Sequence, residues 1–297
     1  MRFISFVQGD VRGLGIRAAD GQFHGLLESD PAYPGSLDRL VWEGPEALAY
    51  AAAVLSEGAP VALGQVQFLP PLTQSPKIIC IGLNYADHTN ESGFKPQDYP
   101  SVFGRFASSL IGHGAPIIRP LVSTQLDYEG ELVAVVGKTG RHIRKENALD
   151  YVAGYALFND ASIRDYQFKS SQWTVGKNFD GTGAFGPEFI TADELPPGAK
   201  GLMLRTRLNG AVVQEASTDD MVFDVATLVA TLSEAFTLEV GDIIVTGTPS
   251  GVGLARKPPL WMQSGDVCEV EVDGFMTLRN PIADEATKGT VKKQQAA

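Results

Sequence analysis

The sequence has only two cysteines in 297 residues, Cys80 and Cys268, and they lie far apart. Cys80 falls inside the apolar stretch KIICIG, a pattern that predicts a buried strand. We therefore expect both cysteines to be small core residues and not a disulfide, as in the reducing environment of the cytoplasm.

Long apolar runs and an excess of basic charge are also missing. No stretch of about 18 apolar residues predicts a membrane span, and the opening MRFISFVQGDVRG lacks the apolar stretch of a secretory signal. Lysine and arginine number 24 against 35 aspartates and glutamates, which gives a net charge of −11. This balance argues against nucleic acid as a partner, whereas a locally cationic site would still accept an anionic small molecule.

Several common motifs are absent or out of context. The chain contains neither the G-x-S-x-G elbow of serine hydrolases nor the H-E-x-x-H pair of zinc peptidases. GTGAFG, residues 181–186, matches G-x-G-x-x-G, but that fingerprint must follow a strand and open a helix. Here GKNFD precedes it and Pro187 follows, so we predict a loop near an active site and no dinucleotide site.

The patterns that are present predict an α+β protein. VRGLGIRAADGQFHGLL predicts a hairpin turning at Asp20-Gly21, and GPEALAYAAAVLSEG predicts a helix. The three prolines of FLPPLTQSPK indicate a linker. From about residue 77, short strands alternate with loops, and DVATLVATLSEAF (224–236) is the clear helix candidate. We predict a small N-terminal α+β domain (1–72), a twisted mixed β-sandwich or β-roll catalytic domain (73–285) and a flexible tail (286–297).

The stretch DYEGELVAVVG, residues 127–137, contains the first candidate site. It has the apolar pattern of a buried strand, yet Glu129 and Glu131 are two residues apart and point to one side. One explanation is an exposed strand start. The other is a divalent cation such as Mg²⁺, which prefers oxygen ligands. Asp160, at the end of the apolar run VAGYALFND, is a candidate third ligand.

Three further groups of residues each have a functional and an ordinary interpretation. His88 and Glu91 in NYADHTNESG have helical spacing, which suits either a general base with its carboxylate partner or a solvated pair. Arg164 and Gln167 follow Asp160 by four and seven residues, which predicts one helix face. Lys177 follows in a glycine-flanked loop. One interpretation is that these are surface groups, and the other is that they bind an anionic substrate. The segment TGTPSGVG (246–253) has two interpretations. Its backbone N–H groups and Thr248 bind a carboxylate, or it is an ordinary tight turn.

Taken together and in this order, these motifs resemble the fumarylacetoacetate hydrolase family over roughly residues 75–282. The resemblance rests on H-x-x-E, E-x-E, Asp160, RDYQ, GKNFDGTGAFGP and TGTPSGVG. It implies a homodimer and a Mg²⁺ or Mn²⁺ ion held by Glu129, Glu131 and Asp160. It also implies His88 as base, oriented by Glu91. The remaining positions matching the family are Lys177, expected to balance oxyanion charge, and the substrate contacts Arg164, Gln167 and Thr248.

The resemblance implies a metal-dependent hydrolase that cleaves a C–C bond in a 1,3-diketo acid such as an acylpyruvate or fumarylpyruvate, in aromatic or sugar-acid catabolism. His88 would activate the attacking water, and the metal would stabilise the leaving enolate. Oxaloacetate decarboxylase and 2-oxo-dienoate isomerase or hydratase are the alternatives, because they use the same metal site. A non-catalytic binding protein is the alternative from another class.

Overall fold

A computed structural model of the chain describes residues 1–86 and 98–286, and strands dominate it. The strands are β1 Arg2–Gln8, β2 Val11–Arg17, β3 Phe23–Leu27, β4 Ala59–Pro60, β5 Gln67–Phe68, β6 Ile78–Gly82, β7 Ser101–Gly104, β8 Leu110–Ile111, β9 Ile117–Arg119, β10 Leu126–Asp127, β11 Gly130–Val136, β12 Val152–Asp160, β13 Ser162–Ile163, β14 Gly183–Thr191, β15 Met203–Leu208, β16 Ala211–Ser217, β17 Ile243–Val245, β18 Val267–Val272 and β19 Leu278–Asp284. The α-helices are α1 Leu37–Glu43, α2 Pro45–Ser56, α3 Arg164–Gln167, α4 Thr174–Lys177 and α5 Val225–Ala235.

Local signals placed the predicted hairpin and helices correctly. Strands β2 and β3 pair antiparallel on either side of the turn that contains Gly21, which has a φ of 81°. Helix α2 begins at Pro45, where the missing N–H costs no helical hydrogen bond. Helix α5 begins after Asp224, whose carboxylate accepts a hydrogen bond of 2.8 Å from the Thr227 N–H.

Most strands belong to one large mixed sheet with the order β4-β3-β2-β1-β14-β12-β11-β17-β6-β7, joined by β5 on β1 and β8 on β14. Strand β1 pairs antiparallel with β14, so the N-terminal strands continue the sheet of the later part of the chain. The domain boundary near residue 72 stays a prediction, and the predicted tail lies almost wholly outside the described residues.

A second sheet has five strands in the order β16-β15-β18-β19-β9 and covers part of the large sheet. Burial alternates along β15 and β18, as expected for strands with one face on the core. Apolar residues of both sheets meet in one cluster that includes Leu157, Leu204 and Val270. The predicted α+β fold with packed, twisted sheets is confirmed, and its two sheets meet beside the end of β11.

Other expectations about the core are also met. Cys80 and Cys268 are free and buried, and burial raises the pKa of the Cys268 thiol to about 12. Within the described ranges, no helix is long and apolar enough to span a membrane.

Candidate active site

Three carboxylates meet where the start of β11 lies beside the end of β12. Glu129 precedes β11, Glu131 is its second residue, and Asp160 is the last residue of β12. The antiparallel register pairs Gly130 with Asn159, which brings the two strand ends together. One carboxylate oxygen from each of the three side chains lies within 4.8 Å of the others, and all three residues are buried.

This donor set fits a hard divalent cation. Three carboxylate oxygens within such a distance can share one ion, and a ligand set made only of oxygens suits Mg²⁺ or Mn²⁺. The residues predicted as ligands from the E-x-E spacing and the β12 terminus are therefore brought together in space. Their role as ligands stays a prediction.

Buried cations from later and earlier segments surround the carboxylates. The Lys177 ammonium donates to Glu129 Oε2 at 2.5 Å and to Asp160 Oδ2 at 2.6 Å. Arg105 forms an ion pair with the other oxygen of Asp160 and donates to Thr182 Oγ1 at 2.6 Å. Glu129 Oε2 and both carboxylate oxygens of Asp160 thus have a cationic neighbour, which reduces the cost of burying them.

Arg164 links the site to a fourth buried carboxylate, Asp127. Its Nη2 lies 2.7 Å from Glu129 Oε1, and its Nε donates to Asp127 Oδ2 at 2.8 Å. Asp127 also accepts hydrogen bonds from the N–H groups of Gly253 and Leu254 at 2.7 and 2.9 Å. All of these partners are donors, so the Asp127 carboxylate acts as their common acceptor.

Glu131 is the carboxylate with the least cationic support. In the described part of the chain it forms no ion pair, and its Oε2 accepts a hydrogen bond of 2.5 Å from the Gly247 N–H. Burial, with Asp160 and Glu129 nearby, raises the pKa of Glu131 well above its usual value. Among residues 1–86 and 98–286, four buried carboxylates at the site face three buried cations, so with these groups a divalent cation would leave one positive charge for an anionic substrate.

Gly247 and Gln167 are held beside the carboxylates for different reasons. Gly247 has a φ of 102°, and a Cβ there would lie 2.7 Å from Asn84 Cβ, so only glycine fits this approach. Gln167 Oε1 accepts from Arg164 Nη1 at 2.8 Å. Because arginine only donates, the Gln167 oxygen faces Arg164 and its NH₂ group is the part left for a ligand.

A pocket of about 140 Å³ lies beside the carboxylates. Its polar walls include Glu129, Glu131, Arg164, Gln167, Lys177 and Thr248, which are six of the predicted site residues. The remaining wall is largely apolar and includes Phe103 and Trp173, whose rings contact edge to face at 5.6 Å. Trp173 reaches this position because Gly82 lacks a side chain, since a Cβ there would lie 2.3 Å from the indole.

Some local predictions were wrong. Asp160, Arg164 and Gln167 do not share one helix, because Asp160 ends β12 and α3 begins at Arg164. Lys177 is the last residue of α4 and not part of a loop. Four of the six residues in the predicted loop at 181–186 are strand, since Gly183 begins β14. The pairing of distant strands sets the end of β12 and the start of β14.

Two predicted site residues lie outside the described residues, and two residues found at the site were not predicted. His88 and Glu91 lie outside the described residues, so their roles stay predictions. Sequence reasoning missed Arg105 and Asp127. The available signals were a lone arginine between the aromatic residues of FGRF and an aspartate two residues before Glu129.

Comparisons with known proteins bear on the family of the chain. The family model of the fumarylacetoacetate hydrolase C-terminal region matches residues 77–283. An oxaloacetate tautomerase of Xenopus laevis, named as mitochondrial, is 38% identical over 288 residues, covering 95% of this chain and 90% of the relative.

Solved structures give the same result. A fumarylacetoacetate hydrolase from Exiguobacterium antarcticum is 36% identical with a TM-score of 0.83, over 96% of this chain and all of that one. Maleylpyruvate hydrolase from Sphingobium sp. SYK-6, solved with manganese(II) and pyruvate, is 29% identical with a TM-score of 0.79, over 96% of this chain and all of that one. The chain therefore belongs to the fumarylacetoacetate hydrolase family.

Proposed function

We propose that the protein is a metal-dependent enzyme that acts on a small 2-oxo acid and that its reaction is the keto–enol interconversion of oxaloacetate. The observation that carries the proposal is the convergence of Glu129, Glu131 and Asp160 within 4.8 Å of one another, beside a pocket that Glu129 and Glu131 line. The choice of reaction is supported by the oxaloacetate tautomerase relative, which matches nearly the full length of the chain.

The chain's own residues have defined tasks in this reaction. Glu129, Glu131 and Asp160 would hold Mg²⁺ or Mn²⁺, which polarises a bound keto oxygen and makes the neighbouring C–H more acidic. Lys177 bridges Glu129 and Asp160 and so fixes their orientation. Tautomerisation removes a proton from C3 of the substrate and returns one to the keto oxygen.

Gln167 would bind the substrate carboxylate. Gln167 lines the pocket, and because its Oε1 accepts from Arg164, its NH₂ group is the part left to donate to a ligand. The apolar wall around Trp173 and Phe103 limits water near the reacting carbon. His88, with Glu91, is the base expected to transfer the C3 proton.

Hydrolysis of a C–C bond in an acylpyruvate is the second candidate. It is favoured by the similarity to a maleylpyruvate hydrolase solved with manganese and pyruvate. Both reactions start from a 2-oxo acid bound through the same atoms, so the ligand set does not separate them. They differ in whether water attacks a second carbonyl group.

One assay series separates the candidates. Enol-oxaloacetate decay is followed by ultraviolet absorbance, and acylpyruvate, fumarylpyruvate and oxaloacetate are followed by product analysis, each with Mn²⁺ and then with EDTA. We expect EDTA-sensitive tautomerisation to have the highest kcat/KM. Faster acylpyruvate cleavage would favour the hydrolase, and no turnover with any compound would overturn both.

Gln167→Glu tests the substrate-binding role. A carboxylate there would repel the substrate anion, so we expect KM to rise about tenfold or more while Mn²⁺ affinity changes little. Gln172→Glu is the matched control, because it adds the same charge to the exposed segment five residues later. An unchanged KM in Gln167→Glu would contradict the assignment.

We also propose a homodimer. Val102, Phe106, Phe168 and Val175 are large apolar residues with 42–59% of their surface exposed. The Phe106 N–H donates a hydrogen bond to Asn178 Oδ1, which places the end of β7 beside α4. Light scattering should give twice the 31.8 kDa chain mass; a monomer at micromolar concentration would contradict it.

The cytoplasmic location stays a prediction.

A further inference from the structure

Within the described residues, the first residues of β11 have a strand partner on only one edge, beside the carboxylate site. Strand β11 pairs with β12 from Gly130 to Val136, but with β17 only from Val133 to Val135. On the β17 side, the described part of the chain therefore supplies no strand partner for Gly130. Its N–H and C=O point to the same edge and, when buried, must find partners elsewhere.

Two side chains take the place of the missing strand at Gly130. The Gly130 N–H donates to Gln214 Oε1, and its C=O accepts from Thr248 Oγ1, both at 3.0 Å. Gln214 Nε2 then donates to Thr248 Oγ1 and to the Pro249 carbonyl, both at 2.8 Å. The result is a closed ring of hydrogen bonds around the residue that separates Glu129 from Glu131.

The ring joins the two sheets. Gln214 lies on β16 of the smaller sheet, where it is the cross-strand neighbour of Thr206. A Cβ on Gly130 would lie 2.1 Å from Thr206 Oγ1, so the absence of a side chain lets β11 approach the smaller sheet. Gln214 and Thr248 are 2% and 3% exposed, so water does not compete for these hydrogen bonds.

We propose that Gln214 and Thr248 are positioning residues of the carboxylate site. By fixing both backbone groups of Gly130, they set the spacing and direction of Glu129 and Glu131. The inference rests on the proposed function, in which these carboxylates hold a divalent cation. It also replaces the substrate contact expected for Thr248, because the hydroxyl proton is donated to the Gly130 carbonyl.

The test is calorimetric titration of Mn²⁺ into the full chain and its variants. Gln214→Met keeps the length of the side chain but removes its polar atoms, and Thr248→Val removes the hydroxyl. We expect each to weaken Mn²⁺ binding about 10–100-fold, the usual effect of losing a group that orients a metal ligand. Thr248→Ser keeps the hydroxyl and should retain wild-type affinity.

Coupling between the two residues gives a second readout. Because both act on Gly130, the double variant should lose less affinity than the product of the two single losses. If Thr248 only bound substrate, Thr248→Val would instead raise KM and leave Mn²⁺ affinity unchanged. Circular dichroism confirms folding, and if one variant does not fold, the other carries the test.

Thr206→Val is the matched control. Thr206 is buried beside Gly130, but its hydroxyl has no hydrogen-bond partner among residues 1–86 and 98–286. Valine should leave Mn²⁺ affinity unchanged and stability equal or higher, because it removes an unsatisfied polar group. Equal weakening in Thr206→Val would overturn the inference.

The remaining outcomes are equally decisive. Wild-type affinity in both Gln214→Met and Thr248→Val would overturn the positioning role while leaving the metal site intact. Absence of Mn²⁺ binding by the wild-type protein would overturn the proposed metal site and the inference with it.

Discussion

Leu132–Val136 and Glu129–Glu131 are consecutive parts of one stretch of chain, but different interactions hold them. The first part is at most 1% exposed, and its central residues pair with β12 on one side and β17 on the other. Its side chains alternate between two hydrophobic clusters that include Val133 and Leu132 respectively. Apolar burial and backbone pairing account for it.

The second part is also buried but polar. Ion pairs to Lys177 and Arg164 hold Glu129, the Gly247 N–H holds Glu131, and Gln214 and Thr248 hold Gly130. Burying charges gains little net stability even when they are paired. The comparison teaches that stability is concentrated where the strand is paired on both sides, and chemistry where that pairing ends.

Glu131→Gln should produce the largest effect and confine it to the site. Loss of one ligand charge should weaken Mn²⁺ binding more than 100-fold, beyond the 10–100-fold effect of groups that only orient ligands. Glutamine can still accept the Gly247 N–H, and no ion pair of Glu131 in the described chain is broken, so the melting temperature should not fall.

Calorimetry and thermal melts measure the two quantities. Glu215→Gln is the control, since it removes the same charge from an exposed position on β16. A fall in the melting temperature of Glu131→Gln comparable to that of a core deletion would remove the distinction between the two parts of the strand.

Val135→Ala should act in the opposite way. Removing buried methyl groups there should lower the free energy of unfolding by about 2 kcal/mol through lost burial and a residual cavity. Mn²⁺ affinity of the folded protein should stay at its wild-type value. Urea unfolding measures the loss, and Val212→Ala, an exposed valine on β16, should change stability by less than about 0.5 kcal/mol.

Gly130→Ala should affect both properties, each by a smaller amount. The new Cβ would meet Thr206 Oγ1, so the sheets must separate, with a loss of about 1 kcal/mol and roughly tenfold weaker Mn²⁺ binding. Adding Thr206→Ala removes the colliding atom and should restore part of the affinity. A double variant no better than Gly130→Ala alone would show that the close approach of the sheets is not what positions the glutamates.

The sequence by itself determined the features that depend on neighbours in the chain. Period-two spacing placed Glu129 and Glu131 on one side, and the apolar run of β12 marked Asp160 at its end. Helices α2 and α5 and the β2–β3 hairpin follow from caps, turns and periodicity. The ordered set of motifs was enough to identify the family.

The tertiary structure alone decided which distant groups support those carboxylates. Arg105 reaches Asp160 across 55 residues, and Gln214 reaches Gly130 across 84. No local pattern carries this information, because the sequence around a buried arginine or glutamine is the same whatever the side chain contacts. Strand pairing and the packing of two sheets bring these side chains to the end of β11, where the backbone ladder stops and buried polar groups require partners.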